Sequence, residues 1–508
     1  MALLGSLIKR GIGLSQKLNV QRDHPMDQQQ AQLHYLLDEA KDTSFGKYYG
    51  FREILESENV IESFRRNVPI LNYKQMNEKW WGQQQKFPDI TWPGKPNFFA
   101  LSSGTTGKES KRIPITNSFL QSMRDVGTSF IRSLPNFDFP DELFESEVLM
   151  LSSSANLSKN ENDHLEGEVS GINVSNFPGW YDLFYRPGKK IASIDNWDDR
   201  VEAIAKEAPE WNIGAIAGIP SWVLLLLKKI IEYHDLETIH DIWPNLTVFA
   251  SGGVAFETYR EDFEKVTREP LVILDTYLAS EGFFAYTAKP GSMDMRLALN
   301  HGYFYEFIPF DERGVDEMGN ILDDPEILTI DQVEKDVDYV LIVSTCSGAW
   351  RYVIGDTIRF KNLDPHEILI SGRTKFFLNV VGSQLSEDKL DTAILDVSDT
   401  LAITINEYSV SAIKNDEGEY IHQWVVVSEN DEVDKDQLRN ELDESLKEAN
   451  KNYKVARSKA LKDIAVRVIN KDKYYSFLER NKKKGGQVKT PKVMPADEMH
   501  ELLDYLND

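Results

Sequence analysis

Short apolar segments alternate with amphipathic helices through the centre of the chain. Residues 213–219 (IGAIAGI) are apolar and contain two glycines, as expected of a fully buried strand, and residues 246–251 and 271–274 have the same character. Periodicity predicts helices at residues 197–208 and 221–233, on either side of the first of these strands. Strands that alternate with helices at this spacing predict an α/β sheet covered by helices on both faces.

The pattern changes after about residue 375. Strands are predicted at residues 409–413, 423–428 and 464–469, and a charged amphipathic helix at residues 434–450. This last stretch of ~130 residues has the size of one small domain. We therefore predict a large α/β domain over residues 1–375 and a smaller, mobile α+β domain over residues 376–508, with a hinge at Lys375.

The chain of 508 residues is strongly acidic, with 57 Lys and Arg against 82 Asp and Glu and a net charge of −25. Such a surface repels polyphosphate backbones, which argues against general nucleic-acid binding. The single cysteine, Cys346, cannot form an internal disulfide and fits a reducing compartment. The longest apolar run, residues 222–227, is far shorter than the ~20 residues that cross a bilayer, and the first residues lack the charge order of a secretory signal. We expect a cytoplasmic protein without a membrane partner, and a monomer rather than an obligate oligomer.

A loop rich in glycine, hydroxyl and basic residues follows an apolar run at residues 97–100. Gly104 and Gly107 allow backbone conformations in which consecutive N–H groups converge on an anion. Hydroxyl and basic side chains add donors and positive charge: Ser102, Ser103, Thr105, Thr106, Lys108, Lys111 and Arg112. This composition predicts a phosphate cradle, with a polar surface turn as the alternative. Glu109 stands where a Walker A loop requires Ser or Thr, so the loop is not of that type.

Two further strand ends carry residues suited to a nucleotide. Gly252 and Gly253 follow one predicted strand, and a glycine pair there leaves room for a flat ring to lie on the backbone. The next strand leads into the segment YLASE, in which Tyr277 could stack on that ring and Glu281, after Ser280, could hold a divalent ion on a phosphate. A tight turn and a surface carboxylate are the alternatives for these two segments.

An acid directly after a glycine ends the segment AWRYVIGD at residues 349–356. Asp356 could accept two hydrogen bonds from a ribose diol, and the alternating aromatic residues before it predict the strand that positions it. In the next such segment, SGRTKFF, Arg373 could reach a ribose or a phosphate. An aspartate that closes a hairpin is the alternative for Asp356.

Positive charge is concentrated near the end of the chain. Residues 480–492 contain six basic residues and no acid, and Gly485, Gly486 and Pro491 favour a loop over a helix. A mobile lysine on such a loop can bind the oxygens of a carboxylate or phosphate and neutralise charge as it develops, and Lys489 is the candidate. A solvated tail is the alternative.

Taken in order, these segments resemble the acyl-adenylating superfamily of acyl-CoA synthetases, luciferases and nonribosomal-peptide adenylation domains. They are most similar to the auxin-responsive Gretchen Hagen family of acyl-acid amido synthetases, in its bacterial form. SSGTTGKESK resembles that family's phosphate loop, YLASE its magnesium and nucleotide motif, WRYVIGD its ribose motif, GRTKFFLN its hinge and GGQVKTPK its lysine loop. One departure is Val353, which stands where many relatives carry a second arginine.

The resemblance implies a large N-terminal acyl-adenylating domain with mixed sheets covered by helices, and a two-step reaction. A carboxylic acid attacks the α-phosphorus of ATP to give an acyl-adenylate and pyrophosphate, and an amine, typically of an amino acid, then releases AMP. By this resemblance, the segment from Ser102 to Lys111 holds the β- and γ-phosphates, and Glu281 contacts Mg²⁺. Asp356 binds the ribose, and adenine is enclosed by Gly252, Gly253 and Tyr277. Lys489 acts on the carboxylate and the α-phosphate.

Two other functions remain open from the residues alone. Coenzyme A thiol could replace the amine as acceptor, or the chain could be a non-catalytic nucleotide-binding protein. The scattered histidines and the absence of G-x-S-x-G argue against a zinc hydrolase or a serine hydrolase. Residues 171–187 are rich in aromatic side chains and contain Arg186, which predicts either a wall of the acyl pocket or ordinary core packing.

Overall fold

The computed structural model describes residues 9–13, 24–102, 111–177, 179–253, 256–316, 319–374, 385, 387–415, 418–428, 433–449, 451–459, 461–480 and 492–507. Several residues predicted for the site lie outside these ranges: Ser103, Gly104, Thr105, Thr106, Gly107, Lys375 and Lys489.

Strands form three sheets within the described residues. In chain order they are β1 (Phe98–Ser102), β2 (Lys111–Ile115), β3 (Glu147–Met150), β4 (Ser158–Lys159), β5 (Leu165–Gly167), β6 (Tyr185–Arg186), β7 (Ile213–Gly218), β8 (Val248–Gly252), β9 (Val272–Ala279), β10 (Gly282–Thr287), β11 (Met295–Leu297), β12 (Tyr303–Pro309), β13 (Asp338–Thr345), β14 (Tyr352–Leu363), β15 (His366–Arg373), β16 (Ile405–Lys414), β17 (Tyr420–Ser428) and β18 (Leu461–Ile469).

The helices cover these sheets. They are α1 (Pro25–Ala40), α2 (Ser44–Tyr48), α3 (Phe51–Leu55), α4 (Val60–Asn67), α5 (Tyr73–Met76), a π-helix (Asn77–Trp81), α6 (Gly82–Gln84), α7 (Asn117–Ser133), α8 (Val169–Ser175), α9 (Lys189–Ala192), α10 (Trp197–Glu207), α11 (Pro220–His234), α12 (Arg260–Val266), α13 (Glu387–Leu401), α14 (Lys435–Ala449), α15 (Lys451–Lys459), α16 (Lys471–Arg480) and α17 (Ala496–Asn507).

The largest sheet has two halves that differ in strand direction. Its order in the described residues is β12-β13-β14-β15-β11-β10-β9-β8-β7-β3-β6. Strands β6, β3, β7, β8 and β9 are parallel to one another. From β9 through β10, β11, β15, β14 and β13 to β12, each strand pairs antiparallel with the next. The carboxyl ends of the parallel strands therefore meet at one edge, which is where ligands bind in open α/β sheets.

Sequence periodicity predicted the parallel half correctly. The predicted helices at residues 197–208 and 221–233 correspond to α10 and α11, and their apolar residues pack with those of β7 and β8 in one core. Strand β9 is longer than predicted. The apolar run ends at Asp275, but the strand continues to Ala279 because its later residues pair with β10.

The four-stranded sheet holds the two ends of the predicted phosphate loop. Its order is β2-β1-β5-β4, and β1 pairs antiparallel with β2, so that Ser102 lies opposite Lys111. Strand β1 also pairs in parallel with β5, with Ala100 opposite Gly167. The loop therefore begins and ends at the same end of one strand pair.

The smaller C-terminal part is built on the sheet β16-β17-β18. One face packs against α13, α14 and α15, and the other against α16 and α17, through two separate apolar clusters. The predicted strands and the predicted charged helix lie within β16, β17, β18 and α14. The prediction of a mixed α/β fold with a large N-terminal and a smaller C-terminal part is confirmed. In the described part of the chain, no helix is long and apolar enough to cross a bilayer.

Candidate active site

A buried carboxylate lies in the turn between β9 and β10. Ala279 pairs with Gly282, so Ser280 and Glu281 form the connection of this hairpin, and Glu281 is only 5% exposed. Burial raises the pKa of Glu281. The charge of Lys111 lowers this pKa, and the charge of Asp356 raises it. A group held in this way favours a neighbouring cation.

Lys111 brings the base of the predicted phosphate loop to this turn. It begins β2, its charge acts on the Glu281 carboxyl, and its Nζ lies 5.6 Å from the centre of the Tyr73 ring. The hydroxyl of Tyr73 accepts from the backbone N–H of Arg112 at 2.9 Å, which holds the strand against α5. The structure therefore places the described ends of the loop, Ser102 and Lys111, close to Glu281.

Asp356 lies inside β14 and does not close a hairpin. It is 7% exposed and pairs with Arg373 of β15, whose Nε lies 3.0 Å from Asp356 Oδ1. The other carboxylate oxygen, Oδ2, accepts a hydrogen bond of 2.7 Å from the hydroxyl of Tyr277. The Asp356 charge raises the pKa of Arg373, so the pair is held in its charged form.

Tyr277 therefore contacts the residue predicted to bind ribose. Its ring is 3% exposed and packs edge to face on Phe284 at 5.3 Å. Burial, together with the Asp356 charge, raises the pKa of the Tyr277 phenol, so the hydroxyl remains a donor at neutral pH. The adenine contact predicted for Tyr277 stays a prediction.

The glycine pair stands beside the same strand. Gly252 lies opposite Thr276 in the β8–β9 pair, and a Cβ at Gly252 would lie 2.9 Å from Thr276 Oγ1. Gly253 has φ +91°, in the region that favours glycine. These two positions need glycine for close packing and for backbone conformation, which is what a surface for a flat ring requires.

Two site residues were not predicted. Tyr352 is fully buried, and its hydroxyl lies near enough to Glu281 to lower the pKa of that carboxyl. Asp275 lies opposite Ser251 in the β8–β9 pair, and burial raises its pKa to about 7. Side chains two or four residues apart in a strand point to the same face, and this alternation could have identified both residues. Tyr352 shares a face of β14 with Asp356, and Asp275 shares a face of β9 with Tyr277.

The arginine of WRYVIGD has a structural role. Arg351 is 2% exposed and has φ +41°. Its Nε donates to Glu306 Oε2 at 2.8 Å, and Arg65 Nε donates to Glu306 Oε1 at 2.9 Å. Arg351 also donates to the backbone oxygen of Val68 at 2.7 Å. These contacts tie β14 to β12 and α4, so the guanidinium of Arg351 is engaged in the fold.

Part of the aromatic stretch at residues 171–187 is packed, whereas Leu183 and Phe184 are exposed. Phe177 packs on Tyr181 at 4.4 Å and on Tyr185 at 5.5 Å. Arg186 forms an ion pair with Glu147. Because its guanidinium is engaged there, Arg186 does not support the hypothesis of an acyl pocket in this stretch.

The described residues fit one metal contact rather than a metal cage. They contain no group of three or more His, Cys, Asp or Glu side chains that could hold a metal. Mg²⁺ is commonly held by one or two carboxylates together with substrate phosphates and water. Glu281, with the Asp356 charge nearby, suits that limited role.

Three domain models of one family match the chain in order. They are the GH3 family N-terminal domain at residues 14–196, the GH3 family central domain at residues 296–373 and the GH3 family C-terminal domain at residues 388–498. The chain belongs to the GH3 family. The central-domain match ends at Arg373, so it includes Asp356 and its ion-pair partner.

Curated relatives in the GH3 family come from plants. A probable indole-3-acetic acid-amido synthetase, GH3.9 from Oryza sativa subsp. japonica, is 23% identical over 52% of this chain and 63% of its own length. An indole-3-acetic acid-amido synthetase, GH3.2 from Arabidopsis thaliana, is 28% identical over 37% of this chain and 36% of its own length. The matched segments therefore span less than two thirds of either relative.

Solved structures show the same fold over nearly the whole chain. The AtGH3.15 acyl acid amido synthetase in complex with 2,4-DB has a TM-score of 0.76 at 17% identity and covers 94% of this chain and 93% of its own. A 2-hydroxyisobutyryl-CoA ligase in complex with 2-HIB-AMP has a TM-score of 0.56 at 11% identity and covers 94% and 91%. The GH3 fold is thus shared with an adenylate-forming CoA ligase.

Proposed function

We propose that this GH3 protein is an ATP-dependent acyl-acid amido synthetase. It adenylates a carboxylic acid with release of pyrophosphate and transfers the acyl group to the amine of an amino acid. The observation that carries this proposal is the convergence of Lys111, Glu281, Asp356 and Arg373 at the carboxyl edge of the parallel strands. They combine positive charge beside the phosphate loop with a buried ion pair suited to a ribose.

The nucleotide contacts follow from this arrangement. Among the residues that the structure describes, each oxygen of Asp356 has one partner, Tyr277 or Arg373, and a second lone pair on each would accept from a ribose hydroxyl. Gly252 and Gly253 would lie under adenine, with Ser280 close to the phosphates. The segment from Ser102 to Lys111, with Ser103, Gly104, Thr105, Thr106 and Gly107, would bind the β- and γ-phosphates through N–H groups and hydroxyls.

Mg²⁺ belongs to the proposal as a phosphate-bound ion. Glu281 would hold it, and it would neutralise phosphate charge during attack on the α-phosphorus. Because burial opposes ionisation of Glu281, an arriving cation would stabilise the charged carboxylate.

Lys489 would act on the reacting carboxylate and the α-phosphate. It lies between α16, which ends at Arg480, and Lys492, so the loop that carries it is attached to the smaller C-terminal part at both ends. Rotation of residues 376–508 about Lys375 would move Lys489 between the two steps. The bacterial branch and the monomeric state stay predictions.

The experiment supplies ATP, Mg²⁺ and a panel of carboxylic acids, and measures ATP–pyrophosphate exchange for each acid. Active acids are then incubated with amino acids or with coenzyme A, and the products are identified by mass. Acid-dependent exchange followed by amide formation is expected. Thioester formation alone would assign the coenzyme A alternative, and binding of ATP without exchange with any acid would favour the non-catalytic one.

A further inference from the structure

Glu168 and Arg200 have opposite charges, and each has buried polar atoms without a hydrogen-bond partner in the described residues. Glu168 precedes α8 directly after β5, and β5 pairs in parallel with β1, which leads into the phosphate loop. The hydroxyl of Ser170 on α8 accepts from the backbone N–H of Ser153 at 3.1 Å. This contact ties α8 to the loop after β3, so Glu168 lies where the phosphate-loop sheet meets the carboxyl edge of the parallel strands.

Arg200 is the positively charged group of the two. It lies in α10, is only 4% exposed, and its guanidinium carbon is 5.4 Å from the centre of the Trp197 ring. Its Nε and Nη1 are buried without a hydrogen-bond partner in the described residues. Asp195, which Arg200 also faces, is engaged by Ser154 Oγ at 2.7 Å and by Asn156 Nδ2 at 2.8 Å.

Glu168 is unpaired in the same way. Within the described ranges, its Oε2 is buried without a hydrogen-bond partner, and its side chain makes no capping bond to α8. Burial raises the pKa of Glu168, and the charge of Arg200 lowers it. Burial lowers the pKa of Arg200, and the charge of Glu168 raises it. The two groups therefore sense each other's charge, although the structure shows no ion pair between them.

Other charged side chains near Glu168 and Arg200 do have partners. Glu166, two residues before Glu168, accepts from Arg112 Nε at 3.0 Å and from Asn160 Nδ2 at 2.8 Å. Arg186, on β6, pairs with Glu147. Burying a charge without a partner is costly, so a carboxylate and a guanidinium that sense each other's charge but stay unpaired suit a ligand that serves both.

We propose that Glu168 and Arg200 form the binding site for the amino-acid acceptor. Arg200 binds its α-carboxylate and Glu168 accepts hydrogen bonds from its ammonium group. This inference rests on the proposed function and assigns two residues to the amino acid that it names as acceptor. A simple amine or a thiol leaves Arg200 unpaired, whereas a zwitterion supplies the acceptor and the donor that the two side chains lack.

The site also suits the transfer step. Glu168 stands on the side of the phosphate loop, so the amine it holds is the end of the amino acid nearer the acyl-adenylate. Glu168 takes one proton from the ammonium, and the neutral nitrogen attacks the acyl carbon. The bond from that carbon to the AMP oxygen breaks, AMP leaves with the electron pair, and the second amine proton passes to solvent.

The test compares the two half-reactions in Arg200→Met and Glu168→Gln. The rate of product formation is measured as a function of the concentration of an amino acid. It is measured again with the carboxamide of the same amino acid, which lacks the carboxylate. Arg200→Met is expected to raise the KM for the amino acid at least tenfold, to leave the KM for its amide unchanged, and to leave acid-dependent pyrophosphate exchange unchanged. Glu168→Gln is expected to lower the kcat of transfer with both acceptors at unchanged exchange.

Controls separate binding from folding. Arg200→Lys keeps the positive charge and should recover part of the amino-acid affinity, and Arg66→Met removes an exposed arginine of α4 and should change neither half-reaction. A raised KM for the carboxylic acid would assign the pair to the acyl substrate and overturn the proposal, as would unchanged kinetics in both variants. If the unaltered protein exchanges pyrophosphate but forms no amide, the proposed function fails instead.

Discussion

Tyr259 donates a hydrogen bond of 2.6 Å from its hydroxyl to Glu407 Oε1 and joins the loop after β8 to the first strand of the C-terminal sheet. Tyr475 of α16 donates to the same oxygen at 3.0 Å, and Glu407 is 4% exposed. Asn406 Nδ2 donates to Asp262 Oδ2 at 2.9 Å beside this contact. In the described residues, the two parts of the chain thus meet through buried polar contacts.

Tyr259→Phe should weaken this junction. Loss of one hydrogen bond to a buried carboxylate costs about 1.5–3 kcal/mol, because Glu407 stays buried with fewer donors. We expect thermal unfolding of the C-terminal part to separate from that of the rest. Tyr474→Phe is the control, since that hydroxyl contacts Ser409 within the C-terminal part at 2.7 Å. Equal behaviour of the two variants would contradict a role of Tyr259 in the junction.

Tyr277→Phe should weaken ATP binding more than acid binding. The variant keeps the ring but removes the donor that holds Asp356 Oδ2. A lost hydrogen bond to a charged group predicts a rise of about tenfold or more in the KM for ATP. Tyr305→Phe, whose hydroxyl contacts only the Ala298 backbone oxygen at 3.0 Å among the described residues, is the buried control. An unaltered ATP dependence would show that Arg373 alone orients Asp356.

Asp275 should make the protein less stable as the pH rises. Burial raises its pKa from 3.8 to about 7, so the folded state binds the proton more tightly than the unfolded state. The unfolding free energy therefore falls from about pH 4 to pH 7, by up to roughly 4 kcal/mol. Asp275→Asn should remove this dependence and gain most over the unaltered protein at pH 8. Parallel stability profiles of the two proteins would contradict the assignment.

His422 should have the opposite pH dependence. It is fully buried, both ring nitrogens lack a hydrogen-bond partner, and burial lowers its pKa from 6.5 to about 3, with the charge of Arg457 acting in the same direction. Its contribution to stability is present above pH 6.5 and is lost as the pH falls towards 3. His422→Phe keeps a ring against Tyr453, which stacks on it at 5.6 Å, and should resist unfolding at pH 5. Urea denaturation at pH 5 and pH 8 measures this difference, and an equal loss in both proteins would contradict it.

Local patterns predicted the strands of the parallel half and the helices beside them correctly. The parallel strands were predictable because they are apolar on both faces, and the helices beside them because their periodicity is strong. Glycine, hydroxyl and acidic residues at strand ends indicated a nucleotide site because those ends meet at one edge. The extension of β9 was missed because Asp275 and Thr276 look like a turn when read along the chain alone.

The basic run near the end of the chain shows the limit of counting charges. Lys492 is one of the six basic residues of this run, yet its Nζ lies 2.7 Å from both oxygens of Asp391, and its side chain is only 15% exposed. The backbone of Lys492 also accepts from Val410 N–H at 2.7 Å. Lys492 itself is anchored to α13 and β16, so its charge belongs to the fold.

The sequence by itself determined which segments become strands, which chemistry stands at their ends and which family the chain resembles, because these properties depend on neighbouring residues. Only the tertiary structure decided which groups meet. Tyr277 and Asp356 are 79 residues apart, and their contact depends on the order β14-β15-β11-β10-β9, which no local pattern specifies. The same holds for Glu168 and Arg200, since a buried charge is recognised as unpaired only when every surrounding element is in place.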